Sequence, residues 1–369
     1  MRYLWGILIL VAALPCSCIR DEAMNDEADI LSVSFSDGCL RAKKPEIGND
    51  YIFVFPKKHV SLRDSALTAI ELTPGASYQR IAHTAVSDTL FFLDVTSQSG
   101  RYVKRYPVIA SYFPSVFDFE SWATPTVGYL YENPKEGSLQ WFSSNNGAAI
   151  AWNNPARLAA DYPIRRAVRA LSGASAVELR TMKGPGHIFG TIDVPCMSGS
   201  LYLGGFNPLT GLTNPLHSTR FGVPFSDGRP VKLTGYYIYK EGEGDYINPD
   251  GSTTANRRDT CAIYAVLFKT DSDTQYLYGD DIATSPNIIA RAELSPDDVR
   301  ISPDFTRFEI AFNYAPYTVP FSFAELYNDE YKITIVFASS HKGDTYEGRI
   351  GNTLIIDRLE LEYEDENGH

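Results

Sequence analysis

Alternation of apolar and polar side chains with a period of two runs through most of the chain. Leu31, Val33 and Phe35 alternate with Ser32, Ser34 and Ser36, and Ala66, Thr68, Ile70 and Leu72 keep the same spacing up to a Pro74–Gly75 turn. That period puts one set of side chains on one face of a strand. Residues 51–55 form a continuous apolar run, which suits a strand covered on both faces. With 90–95 and 102–108 they predict a small β-sandwich over residues 30–112. Residues 111–117 read as a linker. Beyond it, 176–182, 188–194, 201–206, 231–239, 262–269, 288–294, 308–314, 331–337 and 354–363 read as strands, with Ile333, Ile335 and Phe337 set against Thr334 and Val336. Only 323–328 and, more weakly, 155–170 read as helix. The prediction is an all-β chain: a small Ig-like sandwich followed by a larger jelly-roll sandwich over 115–366.

Composition narrows the function classes. The chain has 369 residues and a formal net charge of −12. Nucleic-acid binding is not expected, because it needs basic clusters to displace counterions from phosphate. No apolar run after the N-terminus is long enough to span a bilayer.

The N-terminus reads as an address. Arg2 precedes an apolar stretch, 4–14, which ends at Leu14-Pro-Cys-Ser-Cys18. This resembles a bacterial lipoprotein signal, with residues 1–17 removed and Cys18 lipidated; an ordinary secretory peptide is the alternative. Residues 18–29 carry five acids and one base and read as a solvated tether. Acids directly after the lipidated cysteine are similar to the surface-export signal of Bacteroidetes lipoproteins. That resemblance implies a lipid-anchored protein on the outer face of the outer membrane, with a periplasm-facing tether as the alternative. Of the remaining cysteines, Cys39, Cys196 and Cys261 have no metal-ligand spacing; buried thiols are expected, or a Cys196–Cys261 pair.

Catalytic motifs are missing. The chain has no GxSxG, no HExxH and no P-loop, and Gly184–Gly190 reads as a loop between strands. Glycoside hydrolysis needs two carboxylates flanking one bond. Asp245, Asp259, Asp280, Asp281, Asp344 and Glu347 are the candidates, and spacing selects no pair. Binding a sugar needs less: an open aromatic face and polar partners for hydroxyls. Tyr246, between Asp245 and Asn248 in the glycine-rich loop 242–251, is the leading candidate, with Trp141 and Trp152 beside turn-rich segments as second rings. His341, in Ser339-Ser-His-Lys-Gly343, is a turn residue first and a ligand contact second.

Two resemblances complete the reading. Leu72-Thr-Pro-Gly-Ala76, Val95-Thr-Ser-Gln-Ser-Gly100 and Tyr106-Pro-Val108 are similar to small Ig-like domains of Bacteroidetes surface proteins, which act as spacers. The ordered series Phe117–Trp122, Ser200–Phe206, Gly222–Phe225, Leu233–Lys240, Ile288–Leu294, Ser339–Gly343 and Gly351–Leu361 resembles the PCMD family, the carbohydrate-metabolism domain of Bacteroidetes lipoproteins. Asn352 and Arg358 depart from its pattern. The resemblance implies a carbohydrate link and no stated activity. Jelly-roll carbohydrate modules often hold a structural Ca²⁺ where the first strand meets the last; here the matching acids are Glu120 and Asp357, unless Asp357 bonds a loop amide. No other cofactor is expected. The reading is a surface lipoprotein with a non-catalytic glycan-binding domain, its partners a glycan and, through the lipid, the membrane. A glycan-cleaving lipoprotein and a structural adhesin or pilus-associated subunit are the alternatives.

Overall fold

The computed structural model describes residues 24–366 and 368, apart from 37, 41–44, 57–61, 63–66, 86–88, 111–112, 125–127, 138, 189–191 and 212–213. Cys18 and the leader lie outside the described residues. Among the described residues no helix is long and apolar enough to cross a membrane.

The N-terminal unit has two sheets over one core. Ile30–Phe35 pairs with Leu67–Leu72. Ser77–Ala82, Thr89–Thr96, Val103–Ala110, Ile52–Val54 and Glu46–Ile47 form the second sheet. Phe91, Leu93 and Val95 point inward with Val54, Tyr106 and Val108. Leu31, expected to face inward, is exposed: the register shifts between Ile30 and Ser32, so Ile30 and Val33 face the core instead.

The described end of the expected tether is not a solvated segment. Residues 25–29 dock onto two turns of this sandwich. Asn25 accepts from the Ser99 N–H, and Thr73 bonds the carbonyls of Glu27 and Asp29. The Asp29 carboxylate accepts from Lys104 at 2.6 Å and from the Tyr106 hydroxyl at 3.1 Å. These acids are held by specific donors, which a charge count along the chain does not reveal.

The C-terminal unit is a larger sandwich. Among the described residues one sheet has nine strands and the other six. Ile333, Ile335, Phe337, Leu201, Leu203 and Ile263 of the first meet Leu354, Ile356, Leu233, Tyr239, Phe308 and Ile310 of the second in one core. The expected linker is part of this unit: Val116–Phe117 pairs with the last strand, and Phe113 and Phe117 are buried in its core. Residues 155–170 hold a short 3₁₀ turn, Ala159–Asp161, and a strand, Ile164–Arg166, rather than a helix. The helix lies earlier, at Ser144–Trp152. There Ser143 and Asn146 form a capping box, and Asn153 ends the helix at φ 45°. Gly184 and Gly186 fall within a strand, Met182–Ile188, paired with Ile192–Met197. At the last strand the register slips near Arg358, which takes φ 49°. The extra residue moves the inward positions from Leu354 and Ile356 to Leu359 and Leu361.

Candidate functional site

The residues first expected to bind sugar do not offer open rings. Tyr246 is 2% exposed. Tyr246–Ile247 pairs with Thr253–Thr254 and with Gly348–Arg349, a partner about a hundred residues away that local sequence cannot show. Its ring lies 3.9 Å beneath the Arg257 guanidinium, and its hydroxyl donates to Glu347 at 3.2 Å. Asp245 is exposed, but the Asn248 amide is used inside the hairpin, donating to Ser252 and Thr254 and accepting from Arg257. Trp141 is fully buried against Phe117, Phe119 and Phe337. Trp152 is half-buried, with the Arg157 guanidinium 3.5 Å over its ring.

Glu120 and Asp357 do converge on one loop, but as amide acceptors. Glu120 accepts from the N–H groups of Ala174 and Ser175, and Asp357 from Leu171 at 2.6 Å and Ser172 at 3.1 Å. Burial, with the nearby Glu120 charge adding to it, raises the Asp357 carboxyl pKa. The N–H donors occupy oxygens that Ca²⁺ would need, and among the described residues no cluster of three His, Cys, Asp or Glu could hold a metal. The calcium expectation gives way to the amide bonding that the sequence left as its alternative.

The structure points instead to the outer face of the nine-stranded sheet. Strands covered on both faces send alternate residues to opposite sides. While Leu201, Ile263 and Phe337 enter the core, their neighbours Tyr202, Tyr264 and Val336 form the floor of a cavity of about 270 Å³. The helix Ser144–Trp152, the paired strands Met182–Ile188 and Ile192–Met197, and the described residues Phe206, Pro208 and 215–219 wall it in, and His341, Asp344 and Tyr346 close the remaining side.

That last side is held by a buried polar network. The Ser339 and Ser340 hydroxyls bond Thr181 at 2.8 and 2.7 Å, and Ser339 also bonds Ser198 at 3.2 Å. Below them Asp259, 4% exposed, accepts from the N–H groups of Thr260, His341 and Arg349 and from the Asn352 amide at 2.6 Å. Asn352, a departure from the family pattern, is thus a buried donor to this carboxylate. Burial raises the Asp259 pKa, and these hydrogen bonds oppose the rise. Gly343 is required here, since a Cβ would lie 2.2 Å from that of Ser198.

The network presents three groups to the cavity. His341 is exposed at its edge. Asp344 is open to solvent on one side, while the protein packed behind it raises its carboxyl pKa; the Thr345 N–H and the His341 charge partly counter this. Tyr346 ends the turn Gly343–Thr345 at φ 60°, a left-handed conformation uncommon for a tyrosine.

Of the carboxylates considered for hydrolysis, only Asp344 lines the cavity. Asp259 and Glu347 are buried, and Asp280 pairs with His217 at 2.9 Å. Asp281 accepts from the Tyr278 N–H, and Asp245 lies out on its hairpin. The lining therefore lacks the second carboxylate that a two-acid glycosidase needs. It does combine aromatic rings, hydroxyls and one acid, a set suited to gripping a polyol with an apolar face. Sequence reasoning found His341 and Asp344 as members of lists. It missed the cavity, whose walls come from distant segments.

Comparison with known proteins agrees with the fold. A crystal structure from Bacteroides thetaiotaomicron, described as a "putative glycoside hydrolase", is 30% identical with a TM-score of 0.68, covering 94% of this chain and 100% of its own. A second, from Bacteroides vulgatus and described in the same words, is 32% identical with a TM-score of 0.61, covering 67% of this chain and 97% of its own. No curated protein sequence matches. Residues 118–362 match PCMD, described as "Putative carbohydrate metabolism domain". With that match spanning nearly all of the larger sandwich, the chain belongs to the PCMD family.

Proposed function

We propose that the protein binds a saccharide, without cleaving it, in the cavity on the outer face of the larger sandwich. The observation that carries this is the lining itself: aromatic side chains on the floor, serine hydroxyls around them, and His341, Asp344 and Tyr346 set on a loop fixed by buried hydrogen bonds. Membership of a carbohydrate-metabolism family supports the ligand class. The N-terminal sandwich, read as Ig-like, serves as a spacer, and Cys18 carries a lipid that holds the protein on the outer membrane, facing outward. The leader sequence and the acids after Cys18 support that address.

The test is a glycan-array screen followed by calorimetry on Tyr346→Ala and Asp344→Ala. Binding that falls at least ten-fold in both variants, with melting temperatures kept, supports the site; unchanged affinity places the sugar elsewhere. One observation favours a second reading. Asp344 is the one acid in the described lining, the position a general acid would take, and the related crystal structures are described as hydrolases. Release of reducing ends that disappears in Asp344→Asn would replace binding with hydrolysis.

A further inference from the structure

The cavity lining is chemically lopsided. Its acid and its histidine, Asp344 and His341, come from one loop, and among the described residues no lysine or arginine lines the cavity. Much of the rest of the lining is aliphatic: Ile150 and Ala151 of the helix, Ile188 and Ile192 of the paired strands, with Met197 and Leu216, and Tyr346 packs with Ile188 and Ile192 where the two sides meet. Ile188 and Ile192 are only half-buried, so the wall still has apolar surface to cover.

A bare pyranose carries hydroxyls around its rim. Pressed against an aliphatic wall, those hydroxyls lose water and gain no partner, which opposes binding. An anionic sugar meets a second obstacle, because its charge would be desolvated beside the Asp344 carboxylate, with His341, exposed at the edge, as the one basic side chain in the described lining. An alkyl, acyl or aryl group on the sugar removes the first obstacle, since its burial against Ile188 and Ile192 is favourable. At about 270 Å³ the space lies near the lower end of ordinary ligand sites, which suits one ring and a short substituent rather than a long oligosaccharide.

Resting on the saccharide reading above, we propose that the cavity selects an uncharged sugar bearing an apolar substituent. The substituent lies against Ile188 and Ile192, and the ring hydroxyls face His341 and Asp344. The geometry makes Ile188 and Ile192 specificity residues, a role that the loop 339–347 does not duplicate.

The experiment is calorimetry on the full chain with matched ligands. Methyl and butyl glycosides of glucose, galactose, mannose and N-acetylglucosamine are compared with the methyl glycosides of the corresponding uronates and with butyl triethylene glycol, which has no sugar. The expected result is that at least one butyl glycoside binds ten-fold or more tighter than its methyl partner. That gain should shrink to under three-fold in Ile192→Asn and in Ile188→Ser, each checked for an unchanged melting temperature, and the uronates should bind at least ten-fold more weakly than the neutral sugars. Should either variant unfold, the methyl-to-butyl ratio in the unaltered protein still decides. Equal binding of methyl and butyl glycosides, or tighter binding of uronates, overturns the inference and leaves the saccharide reading standing. Butyl triethylene glycol binding as well as the butyl glycosides overturns the saccharide reading. No binding by any of them overturns both.

Discussion

Replacing Asp259 by alanine tests whether the buried network sets the site. The carboxylate accepts from two backbone N–H groups at 2.9 Å, Thr260 and Arg349, from a third at 3.4 Å, His341, and from the Asn352 amide at 2.6 Å. Hydrogen bonds to a charged acceptor each contribute about 1.5–3 kcal/mol, and a buried donor left unpaired costs about 1–3 kcal/mol. The gain does not add up fully, because burial itself disfavours the charged carboxylate and pushes its pKa up. Removing one partner from a buried charged network typically costs about 3–5 kcal/mol, and that is the loss expected here. In a unit of roughly 250 residues each kcal/mol moves the melting temperature by about 2–4 °C, so the variant should melt about 6–20 °C lower. Calorimetric unfolding gives this number, and titration with the best ligand gives the second one. Affinity should fall even well below the new melting point, because the His341 and Arg349 N–H groups lose the anchor that fixes their loop. A loss under about 1 kcal/mol with unchanged affinity would refute the reasoning, since that is the range of an ordinary surface substitution.

Other outcomes follow from single residues. Tyr246→Ala should cost about 3–5 kcal/mol by urea unfolding while leaving ligand affinity unchanged, because its ring is buried outside the cavity lining. Burial pushes the Glu136 carboxyl up to about 7 from an ordinary value of 4.5, so the folded chain holds that proton more tightly than the unfolded one. The resulting stability is complete below about pH 4.5 and lost as pH rises through about 7; urea unfolding across pH 5 to 8 should show a decline that Glu136→Gln flattens, the Gln carbonyl still accepting from Phe119 N–H. Among Cys39, Cys196 and Cys261, a thiol reagent should label Cys39 first in the native protein. Cys196 and Cys261 are buried free thiols, Cys196 pushed up to about 12 and Cys261 also raised, and both should react only on unfolding. Cys18→Ala should move the protein out of the detergent phase in a partition assay, and its persistence there would reject lipidation.

The fold was more legible than the site because strand alternation is local and cavities are not. Ile333, Ile335 and Phe337 announced a core face, and they make one. The same strand's Val336 reaches the cavity floor, a role its alternation allows without stating. The bulge near Arg358 did leave a trace: apolar positions step from Leu354 and Ile356 to Leu359 and Leu361, a slip of one residue in the period. The helix Ser144–Trp152 also had a signal, Ser143 followed three residues later by Asn146, hidden by its resemblance to a polar turn. Tyr246 misled for a different reason. A glycine-rich loop with no alternation suggests exposure, but Gly348–Arg349 supplies the pairing that buries the ring. Asp259 and Asn352 could not be joined by any rule of spacing, being ninety-three residues apart in the chain and 2.6 Å apart in the fold.

The docking of residues 25–29 decides which end of the small sandwich the N-terminal segment meets. If Cys18 is the anchor, seven residues link it to Asn25, a leash of at most about 25 Å when fully extended. Asn25 is bonded at the Ser97–Arg101 turn, so that end of the small sandwich is the one kept near lipid. The chain then leaves this unit along Val103–Ala110, which starts beside that turn and ends at the opposite side of the sheet. Eight residues of strand rise about 26 Å. Entry and exit therefore lie at opposite ends of the small sandwich. The strand Val103–Ala110 thus carries the chain about 26 Å from the end where Asn25 is bound before the larger sandwich begins.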